Sequence, residues 1–439
     1  MAKPIRAAGF RGMSNHPVTP ARLLDDARLI TPQIILNADV AGDGVLLPRV
    51  GRRRLAAVSN CHSLWSGTEA LFIAQSANGG PALHKLAGDT PVEVAMVSGP
   101  SKAPMSYAEV NNIVYLSNGY WKGAYDLLTG TVRSWGLPLP PPPKTSLVDG
   151  DLPPGRYSLC YTTYENGRIG GNGSIVTVEF WGDSFGIKLI NPPANVLCWI
   201  TQPNGGDFYL AQVDGDNVIR SPYYTQRLPT LHVIPPPLFT CMFAGAGRLW
   251  GASGKTLYYS HEFRYEDFSP ANTIPFTEEI VLLAPIADGI FVNSRRSTWL
   301  IKGYDPAKMS VDHVGEGAVP GTLTYALVEG GGYEISRKLS QLPSPVWMSP
   351  AGVVVGTANG HLVHMTESRL RLWPMSRGAA AHWMQDGRPL TLVTLYGAPT
   401  GQEDQDLRNI FERGKIFISA PLLHGAQGGV NLSGEGALS

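Results

Sequence analysis

The chain carries little charge and few cysteines. Only 16% of its 439 residues are charged, and 35 basic residues balance 35 acidic ones, so the formal net charge is zero. A neutral chain has no bulk attraction for nucleic acid or for an anionic membrane surface. The cysteines lie far apart in largely apolar surroundings, which excludes CxxC metal sites and favours small core residues. They are Cys61, Cys160, Cys198 and Cys241.

Segments that target or anchor a protein are missing as well. No run approaches the ~18 apolar residues of a membrane-spanning helix. Lys3 and Arg6 near the start are not followed by the apolar segment of a signal peptide. We therefore expect no membrane segment and no export that depends on a signal peptide.

The motifs of common enzymes are also absent. There is no GxSxG nucleophile elbow, no phosphate-binding glycine-rich loop and no sialidase-type Asp-box. His361 and His364 would face opposite sides of a strand, so they predict no metal site. His62 beside Cys61 has no third partner in the sequence. We therefore expect no catalytic residue, no cofactor and no metal site, and no enzyme activity.

Turn-forming residues, by contrast, are abundant. The 50 glycines and 36 prolines favour many short strands joined by turns. A hairpin pattern recurs five times, with four or five β-prone residues, a turn, and four or five more. The first strands of these hairpins begin near Leu71, Ile113, Arg248, Ile290 and Val353.

The spacing of these hairpins suggests the fold. Leu71 and Ile113 are 42 residues apart, and so are Arg248 and Ile290. A repeat of this length is typical of a four-stranded propeller blade, and radial repetition protects the sheet edges. The sequence therefore predicts an all-β protein, a β-propeller of five or six blades. The alternative is a β-sandwich, in which look-alike hairpins can also occur.

The long gap between Ile113 and Arg248 requires an insertion. Proline-rich segments at 137–144 (LPLPPPPK) and 233–238 (VIPPPL) flank it and predict stiff spacers. Between them, residues 155–180 alternate around a turn at 165–167, which is typical of a small antiparallel, fibronectin-like β-sandwich. The predicted division has four parts: 1–136, the first part of the propeller with an N-terminal segment; 137–238, the Pro-flanked inserted β-sandwich module; 239–419, the second part of the propeller; and 420–439, a Gly-rich C-terminal tail.

One cluster of like charge stands out. Arg49, Arg52, Arg53 and Arg54 lie within six residues. They could form a solvated strand edge or pair with nearby carboxylates. In a homo-oligomer, however, each arginine is multiplied by the copy number and could form a belt that faces DNA phosphates. These four are the candidate DNA-facing residues.

Several segments resemble a known family in their order and spacing. They include GFRGMSN (9–15), LPPGRYSLCYTTYENGRIGG (152–171), AGRLWGASGKTLYYSHEFRYEDFSPANTIPF (246–276), ADGIFVNSRRSTWLIKG (287–303) and GAVPGT (317–322). This order resembles the packaged-DNA stabilisation proteins of short-tailed phages, also called tail hubs or nozzles. The resemblance extends from about Gly9 to Ile418. At Gly170 and Gly171 the sequence departs from the Glu-Ser pair that is usual in the family's inserted module.

The resemblance implies a structural virion protein. Members of the family are propeller subunits that form a ring, six-fold by the family's pattern, below the portal and adaptor of the phage tail. The ring continues the DNA channel, retains the packaged genome until ejection, and anchors tail spikes, fibres or a plug. We therefore expect a homo-oligomer that is assembled in the host cytoplasm, resides in the virion and contacts passing double-stranded DNA non-specifically.

Two other functions remain open on sequence grounds. The first is a receptor- or glycan-binding propeller at the tail tip, since ten tryptophans and 17 tyrosines could stack on sugars. The second is a lyase or hydrolase built on a propeller. That function needs convergent acids or a His/Tyr pair, and the sequence shows neither.

Overall fold

The computed structural model describes residues 58–221, 224–326, 343–366, 375–385 and 388–396, and the backbone of six short strands nearer the termini. All regular secondary structure in these residues is β-strand. Within this part of the chain, no helix is long and apolar enough to cross a membrane. The first strands form two small pairs: β1 (Gly9–Phe10) parallel to β2 (Leu29–Ile30), and β3 (Ala38–Val40) antiparallel to β4 (Leu46–Pro48).

Two four-stranded up-and-down sheets follow. Blade 1 consists of β5 (His62–Ser66), β6 (Ala70–Gln75), β7 (Pro81–Ala87) and β8 (Thr90–Met96). Blade 2 consists of β9 (Ser106–Val110), β10 (Ile113–Ser117), β11 (Lys122–Asp126) and β12 (Thr131–Arg133). In both sheets the spatial order of the strands is the order of the chain.

The inserted module is an antiparallel sandwich of two sheets. One sheet has the order β13-β17-β20, and the other has the order β15-β14-β18-β19 with β16 also paired to β14. The long strand β14 pairs with both β15 and β16, so the return leg of the predicted hairpin is split in two. The strands are β13 (Thr145–Leu152), β14 (Gly155–Glu165), β15 (Arg168–Asn172), β16 (Val176–Phe180), β17 (Phe185–Leu189), β18 (Val196–Thr201), β19 (Phe208–Leu210) and β20 (Val218–Ile219).

Four more four-stranded sheets complete the strand order. Blade 3 is β21 (Cys241–Gly245), β22 (Arg248–Ser253), β23 (Thr256–His261) and β24 (Arg264–Pro275). Blade 4 is β25 (Leu282–Ile286), β26 (Gly289–Asn293), β27 (Ser297–Lys302) and β28 (Ser310–Glu316). Blade 5 is β29 (Thr324–Ala326), β30 (Ser344–Ser349), β31 (Gly352–Gly356) and β32 (Leu362–His364). Blade 6 is β33 (Arg377–Gln385), β34 (Arg388–Tyr396), β35 (Ile416–Pro421) and β36 (Gly429–Leu432).

These six sheets are the blades of a β-propeller, as the sequence predicted. Four of the predicted hairpins are the second and third strands of blades 1 to 4, and the fifth, which begins near Val353, forms the third and fourth strands of blade 5. Most of those strands are covered on both faces, as in β26 and β31, where every residue is buried. A strand that is covered on both faces is a continuous apolar run, and this is why the sequence revealed it. The outer strand β28 is largely exposed and carries no such signal.

The chain forms two compact units. The first comprises residues 1–106, 254–256 and 276–439, and the second comprises 107–253 and 257–275. Almost all of blades 2 and 3, together with the inserted module, belong to the second unit. Blades 1, 4, 5 and 6 belong to the first. The predicted division at residues 136, 238 and 419 stays a prediction.

Each unit has its own apolar core. In the first, Phe291 of blade 4 packs on Trp347 of blade 5, with ring centroids 5.5 Å apart. In the second, one cluster joins blades 2 and 3 and another fills the sandwich. The sandwich core includes Tyr157, Leu159 and Ile187, all fully buried.

Candidate functional site

The candidate DNA-facing arginines cannot be placed. Arg49, Arg52, Arg53 and Arg54 all lie outside the described residues, so their proximity to DNA stays a prediction.

The histidines considered as possible metal ligands do not form a metal-binding cluster in the described residues. His62 Nε2 donates to the carbonyl oxygen of Ser101 (2.9 Å), which leaves Nδ1 to accept the hydroxyl of Ser63 (2.9 Å). The Ser63 oxygen also accepts the amide N–H of Met105 (2.9 Å), and burial lowers the pKa of His62. The contacts tie residues 101–105 to β5. In the part of the chain that the structure describes, no group of three or more His, Cys, Asp or Glu could hold a metal ion.

A dense polar and aromatic cluster lies in the second unit, where the inserted module meets blades 2 and 3. We call it the module junction. It comprises Arg133, Arg168 and Glu266, the aromatic side chains beside them, and the two Pro-rich arms at 137–144 and 233–238.

A single carboxylate connects the three parts of the second unit. Glu266 of β24 in blade 3 is 2.5 Å from Arg133 at the end of blade 2 and 3.0 Å from Arg168 in β15 of the module. Its Oε2 also accepts the backbone N–H of Gly136 at 3.3 Å. Arg168 reaches Glu165 as well, at 2.6 Å. The Glu266 side chain is only 21% exposed, so water screens these pairs less than it screens surface pairs.

An aromatic cluster lies under this network. The chain leaves blade 2 at Trp135 and enters blade 3 at Phe239, and the two ring centroids are 5.7 Å apart. Phe268 of β24 packs on both rings, and Trp135 Nε1 donates to the carbonyl oxygen of Tyr265 at 3.1 Å. Trp135, Phe239 and Phe268 are buried. The exit and the entrance of the insertion are therefore fixed at one place.

The two arms do not stand clear of the module, as spacers would. Thr163 Oγ1 donates to the carbonyl oxygen of Pro138 (2.6 Å), and Ile234 of the second arm exchanges backbone hydrogen bonds with Phe268 (2.8 and 3.2 Å). Lys122 of blade 2 donates to the carbonyl oxygen of Pro236. Burial lowers the pKa of Lys122 to about 8. Proline lacks a backbone donor but keeps its carbonyl, and these carbonyls are what the neighbouring side chains bind.

The glycines of β15 allow both arms to approach. A Cβ on Gly171 would overlap the carbonyl oxygen of Val233 in the second arm and lie 3.1 Å from Leu139 of the first. A Cβ on Gly170 would lie 2.9 Å from the Cβ of Leu137. A Glu-Ser pair could not occupy these positions while the arms lie where they do. The absence of a Glu-Ser pair at Gly170 and Gly171 therefore has a local steric reason.

The junction suits a mechanical role. Its charged groups are bound to one another and its aromatic rings are buried, so little reactive chemistry is left exposed. Two chain crossings, a three-way ion network and the packed arms hold the module firmly to blades 2 and 3.

Sequence reasoning had not singled out Arg133, Arg168 or Glu266. The three come from different strands, and Arg133 and Glu266 are more than a hundred residues apart in the sequence. The only local indication of the module junction was the pair Gly170 and Gly171 within a strand, since glycine in a strand often marks a close approach of another backbone.

No protein-family model matches the chain, and no curated protein matches it. Solved β-propeller structures are similar at low identity. BBS1N, crystallised in complex with ARL6DN, matches at 11% identity and a TM-score of 0.28, over 78% of this chain and 90% of that one. The WD40 domain of SCAP from fission yeast matches at 8% identity and a TM-score of 0.30, over 80% of this chain and 60% of that one. The Cps50 (Swd1) β-propeller domain of Myceliophteria thermophila matches at 11% identity and a TM-score of 0.27, over 77% of this chain and 96% of that one. The assignment of this chain as a propeller rests on its own six sheets.

Proposed function

We propose that the protein is a structural subunit of a phage tail. Its copies form a homo-oligomeric hub or nozzle, a hexamer by the pattern of the family it resembles. The ring continues the DNA channel below the portal and adaptor, retains the packaged genome until ejection, and anchors spikes, fibres or a plug. In this proposal the protein acts in the virion after assembly in the host cytoplasm, and it is not an enzyme.

The module junction is the observation that carries the proposal. A domain on a single flexible linker can bind a partner but transmits little force. Here the module is joined by two chain crossings, and Glu266 links Arg133 and Arg168 across the same place. Force applied to the module is therefore passed to two blades, as an anchoring part of a tail requires.

The positions of the resembling segments give further support. Residues 152–171 coincide with β14 and β15 of the module, and residues 246–276 coincide with most of blade 3. Both segments contribute to the junction, the first through Arg168 and the second through Glu266.

The mass of the purified protein tests the assembly. The subunit mass is 47.3 kDa, and native mass spectrometry is expected to show a ring at an integral multiple of it. Antibodies against the chain are expected to label the tail of purified particles. A monomer at micromolar concentration, together with absence of the chain from the particles, would overturn the proposal.

Genome retention tests the arginine cluster separately. Replacing Arg52, Arg53 and Arg54 with Ala is expected to leave ring assembly intact and to increase the fraction of particles that lose their DNA. Particles that keep a normal DNA content would argue against the DNA-facing belt while leaving the structural proposal in place.

A further inference from the structure

The outer face of the module's larger sheet is only partly covered. Along β14 and β16, alternate side chains such as Tyr157 and Phe180 point into the core, and those between them point outward. Toward one end, this outer face is covered by a cluster of Cys160, Trp199, Phe208 and Leu228. At the other end it is open, and Trp181 follows β16 there.

Trp181 is the most exposed tryptophan among the described residues. Its side chain is 64% exposed, whereas Trp135, Trp199, Trp250 and Trp347 are almost fully buried. The ring is nevertheless held in place, because the indole N–H donates to Glu179 Oε1 at 2.7 Å. A large apolar ring that is both exposed and fixed suits binding, since little side-chain entropy is lost when a ligand stacks on it.

Polar groups lie next to Glu179 on this face of the sheet. Arg156 lies directly opposite Glu179 in the register of β14 and β16, and its guanidinium has no partner in the described part of the chain. Asn204 accepts the backbone N–H of Arg156 (3.2 Å) and donates its own N–H to the Arg156 carbonyl (2.8 Å). Its amide nitrogen remains available to a ligand. This end of the sheet thus carries donors on Arg156 and Asn204 and acceptors on Glu179 and the exposed Thr177.

We propose that this surface, the Trp181 patch, binds an uncharged hexopyranose polysaccharide. The apolar face of a pyranose ring can stack on the indole, whose π face is electron-rich. Each sugar hydroxyl both donates and accepts, which matches the mixed donors and acceptors of the patch. The carboxylate of Glu179 beside the ring offsets the guanidinium of Arg156 opposite it, so the local charge does not favour an acidic polymer.

A sugar fits the patch better than a protein partner does. Stable protein interfaces bury about 800 Å² on each side around a cluster of apolar anchors. Here one large apolar ring stands among polar groups, and the other aromatic side chain on this outer face of β14 and β16, Tyr164, lies at the far end of β14. The inference does not rest on the proposed tail function, because it depends only on the geometry of the module.

Calorimetric titration of the full chain with hexasaccharides of glucose, mannose and galactose tests the inference. At least one is expected to bind, and polygalacturonate is expected to bind more weakly than that one. Trp181→Ala should weaken binding roughly tenfold or more, and Trp181→Phe should retain part of the affinity. Arg156→Ala should weaken binding by a smaller factor.

Trp383→Ala is the matched control, because Trp383 is also exposed, at 38%, and lies on blade 6. This variant is expected to bind like the unaltered protein. Thermal unfolding of Trp181→Ala checks that the variant is folded. Failure of all three hexasaccharides to bind would overturn the inference, as would binding that Trp181→Ala leaves unchanged. Cross-linking of Trp181 to a protein in place of a sugar would overturn it as well.

Discussion

At several positions of this protein, the type of residue is explained by a contact with a residue that is far away in the sequence. Gly171 is the clearest example, because both arms of the insertion approach its backbone and leave no room for a Cβ. Glycine costs conformational entropy in a strand, so a strand keeps it where the tertiary structure requires it.

Gly171→Ala is expected to destabilise the protein by about 2 to 4 kcal/mol, since the new methyl group must displace Val233 or Leu139. Urea denaturation measures the change. Gly206→Ala in the same module is the control, because a Cβ there meets nothing within 4 Å, and its effect should be within about 0.5 kcal/mol. Equal effects of the two substitutions would contradict the steric explanation.

Lys122 predicts a pH dependence. Its pKa is about 8 in the folded protein, against 10.5 for an unburied lysine. Between these values the unfolded chain binds more protons at this site than the folded chain does, so the contribution of Lys122 to stability rises with pH. Below pH 8 the unfavourable burial of the charge is fully present, and above 10.5 it is gone.

The measurement is the free energy of unfolding of the unaltered protein minus that of Lys122→Met, at several pH values. This difference should increase from pH 8 to 10.5, while titrating tyrosines and cysteines affect both proteins alike and cancel. A difference that stays constant over this range would show that Lys122 is not buried as described.

At the scale of elements, the strands that the sequence predicted are mostly the buried ones. The second and third strands of blades 1 to 4, and the third strand of blade 5, were predicted because both faces of most of these strands are covered. β15, with two glycines, and the exposed outer strand β28 carry little periodic signal. The blade count stayed open between five and six for this reason, and the described residues form six four-stranded sheets.

The ion network between elements gives a third prediction. Glu266→Gln removes the charge that opposes both Arg133 and Arg168, which are only 33% and 24% exposed. We expect a loss of about 2 to 3 kcal/mol, below the range for fully buried pairs. Chemical denaturation measures it, and hydrogen exchange should show faster exchange in β15.

Glu262→Gln is the matched control for that substitution. Glu262 pairs with Arg248 at 3.5 Å and is 59% exposed, so its loss should cost no more than about 0.5 kcal/mol. If Glu266→Gln were no more destabilising than Glu262→Gln, the network could not be what fixes the module to its blades.

At the scale of the whole molecule, none of the four cysteines forms a disulfide, and the four differ in accessibility. Cys160 and Cys198 are buried in the module, and burial raises the pKa of Cys160 to about 12 and also raises that of Cys198. Cys61 and Cys241 are partly exposed. The thiolate is the reactive form, so burial and a raised pKa both slow labelling.

Alkylation of the native protein, followed by peptide mass spectrometry, is expected to modify Cys61 and Cys241 before Cys160 and Cys198. Cys160 and Cys198 should react as fast as Cys61 and Cys241 only when the protein is unfolded in denaturant. A reducing agent should leave the melting temperature unchanged, because no disulfide contributes to stability. Rapid native labelling of Cys160 or Cys198 would contradict the described packing of the module.

The sequence by itself determined the features that depend on near neighbours. Periodic apolar runs, turns and proline-rich segments are local, so they revealed the all-β class, the repeating hairpins and the place of the insertion. The tertiary structure alone decided how the insertion is held, because Arg133, Arg168 and Glu266 meet only after three separate strands have paired. It also decided that Trp181 stays exposed, since burial depends on what covers a sheet face and not on the alternation within one strand.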